Sequence, residues 1–224
     1  MTEGNLIDTG RFISLEGGEG AGKSTQAFVL KEFLNRAGKE VILTREPGGS
    51  PGAEQIRNLI VSGDVNRWDK LTEVLLLYAA RRDHWLRTIQ PALSEGSWVI
   101  SDRFSDSTFV YQGLAGVVDT STILTIHKIV LGDVWPDLTL LLDLAPEVGL
   151  KRSQERDAAE NSSDTRFEKM SLTFHKRLRK GFLQLASDNP KRFKMVDASK
   201  DKNEVGNALR GIVLKRFQDE LKVF

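Results

Sequence analysis

The chain of 224 residues contains no cysteine. Disulfide bonds, thiolate metal ligands and cysteine nucleophiles are therefore excluded, and the fold does not depend on the redox state of its compartment. An excess of charge of one sign is also absent, because 32 basic and 31 acidic side chains leave a formal net charge of +1. No global field marks the chain as a binder of nucleic acid polymers or membrane surfaces, so any recognition of anions must be local.

Long apolar runs are missing as well. No segment approaches the roughly 20 apolar residues that a membrane helix requires, and the first ten residues include two acidic side chains. We therefore expect a soluble, cytoplasmic protein without a membrane partner. The three histidines, His84, His127 and His175, lack the spacing of metal ligands, and we interpret them as surface or core residues.

Short apolar runs alternate with longer helical patterns along the chain. Five runs predict buried strands: Phe12–Leu15, Val41–Thr44, Trp98–Ser101, Leu138–Leu142 and Phe193–Val196. Strands separated by helices form βαβ units, and their right-handed crossovers produce a parallel sheet with helices on both faces. The predicted fold class is therefore α/β, with ligands bound at the carboxyl ends of the strands.

The predicted helices fill the intervals between these strands. They cover residues 23–36, 53–61, 70–93, 120–131, 146–156, 166–185 and 202–221, and Pro91 could end or kink the third. Neither an internal repeat nor a Pro/Gly-rich linker divides the chain, so residues 1–224 are predicted to form a single domain. The polar segment 157–164 suggests a mobile lid, which we place at about residues 152–166.

Residues 17–24, Gly-Gly-Glu-Gly-Ala-Gly-Lys-Ser, match the pattern G-x-x-x-x-G-K-[ST] between a predicted strand and a predicted helix. Backbone N–H groups of such a P-loop surround a phosphate, and the start of the helix adds partial positive charge. Lys23 is predicted to bridge the β- and γ-phosphates of ATP, and the Ser24 hydroxyl to bind Mg²⁺. A glycine-rich turn that only links strand to helix would need neither side chain. The residues predicted to bind the nucleotide are Gly17, Gly18, Glu19, Gly20, Ala21, Gly22, Lys23, Ser24 and Thr25.

A P-loop also occurs in switch GTPases, motor ATPases and transport ATPases. A switch GTPase is expected to carry Asp-x-x-Gly and Asn-Lys-x-Asp, and neither pattern occurs in this sequence. The other sequence motifs are therefore needed to decide which class of P-loop protein this chain resembles.

Four segments resemble the thymidylate kinase family in their order and spacing. They are the P-loop with Glu19 inside it, Thr-Arg-Glu-Pro-Gly-Gly at 44–49, Ser-Asp-Arg-Phe at 101–104 and Tyr-Gln-Gly at 111–113. The resemblance spans nearly the whole chain. It implies a three-layer P-loop nucleoside monophosphate kinase fold with a mobile lid, ATP and Mg²⁺ as cofactors, and a homodimer. It also implies transfer of the γ-phosphoryl group of ATP to dTMP, giving dTDP and ADP for dTTP synthesis.

Charged residues follow two of the predicted strands. Arg45 would point into the crevice, where a guanidinium can hold a phosphate bidentately, and the resemblance assigns it the phosphate of dTMP. A surface ion pair with Glu46 is the alternative. Asp102 stands where a Walker-B-like carboxylate organises Mg²⁺, and Arg103 would face the phosphates. A structural ion pair between Asp102 and Arg103 is the alternative reading.

The resemblance assigns further residues to dTMP. Glu19 is implied to contact the sugar 3′-hydroxyl, since a carboxylate in an anion-binding loop needs a different ligand group; a solvated carboxylate is the alternative. Arg81 is implied to read the thymine edge, and Leu77 occupies the position, four residues earlier, of an aromatic that stacks on the base in the family. Tyr78 fits a core role and a substrate contact equally. Further implied contacts, with local backbone bonds or solvation as alternatives, are Arg57, Thr108 and Gln112.

Arg152 and Arg156 lie four residues apart and share one face of a predicted helix, where like charges cost about 0.2–0.5 kcal/mol unless an anion intervenes. Some bacterial members of the family carry catalytic arginines in the lid. The resemblance therefore points to Arg156 first, Arg152 second and Arg166 as a weaker third. The alternative is a solvent-exposed helix on which Glu155 and Glu160 balance the positive charges of the arginines.

The predicted reaction is an in-line phosphoryl transfer that depends on positioning and charge neutralisation rather than on a covalent intermediate. The predicted catalytic residues are Lys23, Arg45, Arg103, Arg152 and Arg156. Two alternatives stay open. Leu77 favours a nucleotide kinase with a broader choice of acceptor, whereas a P-loop regulator without phosphotransfer would not need Arg45, Glu19 and Gln112 together.

Overall fold

The computed structural model describes residues 10–160 and 166–221. Five strands form one sheet in the order β2-β3-β1-β4-β5, and every neighbouring pair is parallel. This arrangement confirms the predicted α/β fold. The strands are β1 (Phe12–Glu16), β2 (Val41–Arg45), β3 (Trp98–Asp102), β4 (Leu138–Asp143) and β5 (Phe193–Asp197).

Each strand extends one residue beyond its predicted carboxyl end. The added residue is always charged, because the apolar run ends while backbone pairing continues for one more position. These terminal residues are Glu16, Arg45, Asp102, Asp143 and Asp197. Hydrophobic pattern alone therefore misses the strand positions closest to the ligand-binding edge.

The helices surround this sheet and follow most of the predicted boundaries. They are α1 (Lys23–Arg36), α2 (Pro51–Val61), α3 (Lys70–His84), α4 (Gln90–Ser94), α5 (Ser105–Thr108), α6 (Thr120–Leu131), α7 (Pro146–Glu160), α8 (Leu172–Asp188) and α9 (Lys202–Arg216). None of the helices in the described ranges is long and apolar enough to cross a membrane.

Several predicted helix boundaries are wrong. The helix predicted over 70–93 is interrupted by a π-helical segment, Trp85–Ile89, before α4 begins with Pro91 in its first turn. α8 begins at Leu172 instead of Arg166 because the Ser171 hydroxyl caps it, accepting from the backbone N–H of Phe174. α9 ends at Arg216, five residues early.

The predicted lid lies partly within a helix. Residues 157–160 continue α7, so the boundary predicted at Arg156 was placed too early. Residues 161–165 of the predicted lid lie outside the described residues.

The core lies on both faces of the sheet, as expected for parallel strands. On one face, Ile13 and Leu15 of β1 pack with Leu30 of α1 and Leu209 of α9. On the other face, Phe12 packs in a separate cluster with side chains from β3 and the helical segments that precede it. All five residues of β1 are buried, which fixes this strand at the centre of the sheet.

Candidate active site

A cavity of about 550 Å³ opens at the carboxyl ends of β1, β2 and β3. This is where the chain connections leaving the sheet diverge to opposite sides of β1, the usual ligand position in an open α/β sheet. The predicted site residues that line it are Glu19, Gly20, Gly22, Lys23, Ser24, Thr25, Arg45, Arg57, Leu77, Arg81, Asp102, Arg103, Thr108, Gln112 and Arg156. The structure therefore brings together most of the residues that the sequence indicated.

The P-loop joins β1 to α1. Buried Lys23 folds back over it and donates from Nζ to the carbonyl oxygens of Gly17, at 3.2 Å, and Gly18, at 2.8 Å. Burial, followed by the positive charge of Arg103, lowers the pKa of Lys23 to about 8. An arriving phosphate would favour the charged form of this amine because it supplies the opposite charge.

Gly20 sits at the closest approach between the P-loop and α7. Its φ is 65°, and a β-carbon there would overlap the carbonyl oxygen of Gly149. Only glycine combines this left-handed backbone with so close a contact. α7, which carries Arg152 and Arg156, is therefore packed directly on the P-loop.

Two oxygen ligands meet beside Lys23. The Ser24 hydroxyl donates to Oδ2 of Asp102 at 2.5 Å, and both side chains line the cavity. In the described part of the chain no group of three or more histidine, cysteine, aspartate or glutamate residues could hold a metal ion. A hydroxyl and a carboxylate suit Mg²⁺, which usually takes one or two protein oxygens and completes its shell with water and substrate phosphate.

Arg103 pairs with Glu19 rather than with its neighbour Asp102. Its Nη2 donates to Oε2 of Glu19 at 2.5 Å, and its Nη1 donates to the carbonyl oxygen of Gly17 at 3.0 Å. The φ of Arg103 is 73°, a left-handed conformation that costs roughly 1–2 kcal/mol for a residue with a side chain. Ser101 stabilises this turn by donating to the carbonyl oxygen of Arg103 at 2.7 Å.

Glu19 is a buried carboxylate, not the solvated loop residue of the alternative reading. Its second oxygen accepts from the Tyr111 hydroxyl at 2.7 Å. Burial by itself would raise the pKa of Glu19, but the charges of Arg103 and Lys23 outweigh burial and the pKa is lowered. Glu19 is therefore an ionised acceptor beside the P-loop.

Arg45 and Arg57 form the outer wall of the cavity. Arg45, at the end of β2, is 56% exposed and donates to Glu54 at 3.1 Å, so its predicted alternative partner Glu46 is not the residue it meets. Arg57 donates from Nη1 to the carbonyl oxygen of Pro47 at 2.7 Å. The exposed fraction of Arg45 leaves it accessible to an anion in the cavity.

Buried polar residues also line the cavity. Arg81 donates from Nε to Glu46 at 2.7 Å and from Nη2 to the Thr108 hydroxyl at 3.0 Å. Within the described residues its Nη1 has no hydrogen-bond partner, and neither has Oε1 of Gln112. Two residues that line the same cavity thus each carry a buried polar atom without a partner in the described part of the chain, and a hydrogen bond to a ligand would satisfy both.

Comparison with known proteins identifies the family. The family model for thymidylate kinase matches residues 15–209. The thymidylate kinase of Caulobacter vibrioides is 51% identical over 93% of this chain and 98% of its own length, and that of Ruegeria pomeroyi is 48% identical over 93% and 97%. The crystal structure of thymidylate kinase from Ehrlichia chaffeensis aligns with a TM-score of 0.71 at 33% identity, covering 92% of this chain and 99% of that one.

The chain belongs to the thymidylate kinase family. This membership confirms the resemblance seen in the four sequence segments.

In this member of the thymidylate kinase family, the lid arginines have different surroundings. Arg156 lines the cavity and contacts the Ser153 hydroxyl at 2.9 Å. Arg152 instead donates to the carbonyl oxygen of Ala198 at 3.1 Å. Arg166 is buried, paired with Glu73 and bonded to three backbone carbonyls. This conformation favours Arg156 among the three.

Three further P-loop residues and one aromatic lie outside the lining of the cavity. Gly17 and Gly18 contribute carbonyl acceptors to Lys23 and Arg103. Ala21 is buried in the core beneath the loop. Tyr78 faces the core with Ile123 and the ring of His127, so of its two readings the structure supports the core role.

Three buried glutamates that support the site were not predicted from the sequence. Glu46 accepts from Arg81 Nε and from His84 Nδ1 at 3.0 Å, Glu73 accepts from Gln112 Nε2, and Glu16 accepts from the backbone N–H of Phe104. A glutamate inside an otherwise apolar pattern, as Glu73 is in α3, was the available signal.

Proposed function

We propose that this chain transfers the γ-phosphoryl group of ATP to dTMP, producing dTDP and ADP. The observation that carries the proposal is that Arg81 and Gln112, which line the same cavity as the P-loop lysine, each keep a buried polar atom without a partner among the described residues, Nη1 and Oε1 respectively. A phosphate-binding loop alone fits many enzymes, whereas this pair has the hydrogen-bonding pattern of one kind of base.

Thymine presents an acceptor, O4, beside a donor, N3–H. A guanidinium only donates and an amide oxygen only accepts, so Arg81 and Gln112 complement that edge. Cytosine has the reverse pattern and would leave both buried groups unpaired, which sites of this kind reject strongly.

The phosphate groups of the two substrates would meet at the basic side chains of the cavity. Lys23 would bind the phosphates of ATP, and Arg45, Arg57 and Arg103, which line the same cavity, would bind the phosphate of dTMP. Glu19, an ionised acceptor next to Arg103, is suited to a sugar hydroxyl. Positioning two anions in line and neutralising their charge is the main catalytic requirement of this transfer.

Mg²⁺ fits the oxygens of Ser24 and Asp102 described above. When bound there, it would neutralise charge on the nucleotide phosphates. The protein's own contribution beside it comes from Lys23, whose amine would stay close to the phosphates, and from Arg156, which would offset charge on the transferred group.

An exposed apolar stripe on α3 supports a homodimer. Leu71 and Leu75 are 43% and 51% exposed, and Leu124 of the adjoining helix α6 is also exposed. Apolar side chains grouped on one surface are typical of a protein interface. We also propose a cytoplasmic location, where both substrates are available.

The deciding experiment measures ADP formation with Mg²⁺ and ATP and each of dTMP, dUMP, dCMP, dGMP and dAMP, with direct identification of the diphosphate products. We expect dTDP as the main product, with dUMP second because it shares the N3–H and O4 edge of thymine. Lys23→Ala is the control and should abolish turnover with every acceptor.

A second candidate is a kinase with a broader choice of acceptor, favoured by Leu77 at the stacking position in the cavity wall. Comparable rates with several bases would support it. ATP binding without any diphosphate product would instead indicate a nucleotide-binding regulator.

A further inference from the structure

Gln112 lines the cavity of the candidate site, and its amide is bonded to Glu73, which does not line that cavity. The residue lies in the π-helical segment Phe109–Leu114 and is 4% exposed. Its Nε2 donates to Oε1 of Glu73 at 2.8 Å, while its Oε1 has no partner among the described residues. The orientation of this amide decides whether the cavity wall offers an acceptor or a donor.

The partner of Gln112 determines that orientation. A carboxylate can only accept hydrogen bonds, so the NH₂ group must face Glu73 and the oxygen must face away from it. A neutral hydroxyl or amide in place of Glu73 would accept either orientation. The acceptor that faces the base is thus fixed by a residue behind Gln112.

Glu73 is itself held by a buried ion pair. Its Oε2 accepts from Nη2 of Arg166, and the exposed fractions of the two side chains are 4% and 2%. Arg166 also donates to the carbonyl oxygens of Ile60, Asp64 and Val65, at 2.9, 3.1 and 2.9 Å. The described residues that line the cavity include Gln112 but not Glu73.

We propose that Glu73 is a positioning residue that determines which pyrimidine the site accepts, by fixing the amide of Gln112 with its oxygen toward the base. Arg166 anchors the carboxylate from the other side. The inference rests on the proposed function and adds a residue that touches neither substrate.

The substitution Glu73→Gln tests this mechanism because it should reverse the amide. Arg166 can only donate, so the oxygen of the new amide must face Arg166 and its NH₂ group must face Gln112. Gln112 must then turn its own oxygen inward and present NH₂ to the cavity. The cavity wall would change from an acceptor to a donor without any change in a residue that contacts substrate.

The measurement is kcat/KM for dTMP and for 5-methyl-dCMP, which differ only at the N3 and C4 positions of the base. In Glu73→Gln we expect the ratio of the two values to fall about 10- to 100-fold, the usual effect of one mismatched buried hydrogen bond. Loosening of the site by a structural defect would lower both values and leave the ratio unchanged.

Two further variants separate selectivity from stability. Arg166→Gln removes the ion pair but can still donate to Glu73, so it should lower the unfolding temperature and keep the wild-type ratio. Gln112→Leu removes the amide that Glu73 would orient. The double variant Gln112→Leu/Glu73→Gln should therefore have the same ratio of kcat/KM values as Gln112→Leu alone.

Should Glu73→Gln not fold because the charge of Arg166 is uncompensated, the double variant Glu73→Gln/Arg166→Gln removes both charges, which proteins tolerate better. The ratio of kcat/KM values for this double variant should also fall, because a neutral amide at position 73 that faces another neutral amide at position 166 accepts either orientation of Gln112.

An unchanged ratio in the folded Glu73 variants overturns the inference while dTMP turnover by the unaltered chain still supports the proposed function. The inference is also overturned if adding Glu73→Gln to Gln112→Leu lowers the ratio of kcat/KM values as much as Glu73→Gln lowers it in the unaltered chain. If the unaltered chain makes no dTDP, the proposed function fails first and the inference fails with it.

Discussion

Glu16, the last residue of β1, is fully buried beneath the P-loop. Its carboxyl group accepts from the backbone N–H of Phe104 at 2.8 Å and from the Ser107 hydroxyl at 2.6 Å. Burial, reinforced by the negative charge of Asp106, raises its pKa from 4.5 to about 8. The folded chain therefore keeps a proton that the unfolded chain releases.

This proton makes stability depend on pH. Between pH 4.5 and about 8 the folded state binds more protons at Glu16 than the unfolded state, so the free energy of unfolding falls as pH rises through that window and levels off above it. The slope from this one group is at most about 1.4 kcal/mol per pH unit. Glu16→Gln cannot titrate and should remove that part of the slope.

Urea unfolding at pH 5.5, 6.5 and 7.5 measures the effect. The control, Glu95→Gln at an exposed position, should keep the wild-type slope. Equal slopes in Glu16→Gln and the unaltered chain would show that the buried carboxyl does not bind the proton.

At the scale of one element, α7 contacts the P-loop and also contributes a side chain to the cavity. Its first half packs Gly149 against Gly20 of the P-loop, and its second half carries Arg156 into the cavity. Arg152, one turn earlier, is turned toward Ala198 and the end of β5. A helix that touches the phosphate-binding loop at one point and the cavity at another can place a guanidinium near the transferred group.

The two arginines of α7 should therefore behave differently. Arg156→Ala is expected to lower kcat by about 100-fold or more, the usual cost of removing a charge that stabilises the transition state. Arg152→Ala should change kcat less than about tenfold, because its guanidinium bonds a backbone carbonyl outside the cavity.

Steady-state kinetics of both variants, with KM for ATP and dTMP measured separately, distinguishes the roles. Arg156→Lys keeps the charge without the planar guanidinium and should recover part of the lost rate. A larger loss in Arg152→Ala than in Arg156→Ala would mean that α7 rotates when substrates bind and that Arg152 is the catalytic residue.

At the scale of the whole molecule, we propose that residues 1–224 form one domain and that two copies associate through α3. The exposed residues Leu71, Leu75 and Ala79 recur every four positions, while Val74 and Tyr78 of the same helix face the core. An amphipathic helix with a second apolar stripe on its outer side is suited to an interface.

Leu75→Lys places a charge in the centre of that stripe. We expect the molar mass in solution, measured by light scattering after gel filtration, to change from about twice the chain mass of 25.0 kDa to the chain mass itself. The matched variant Ile129→Lys alters a side chain on α6 that is 79% exposed and outside the stripe. It should leave the mass unchanged, and a dimer that survives Leu75→Lys would exclude this face.

The sequence by itself determined the α/β class, the parallel sheet and the P-loop. Periodicity and glycine spacing are local properties, so Phe12–Leu15 and residues 17–24 could be interpreted without knowing their neighbours in space. The same applies to the helix predicted over 120–131, whose bounds match α6.

Only the tertiary structure decided which charged residues meet. Arg103 pairs with Glu19 instead of Asp102, Arg45 pairs with Glu54 instead of Glu46, and Glu73 holds Gln112 from 39 positions away. No periodic pattern encodes these contacts, since burial and a partner's position depend on how distant segments fold together. The orientation of a single amide follows from such a contact, because a carboxylate on one side dictates what the other side offers to a ligand.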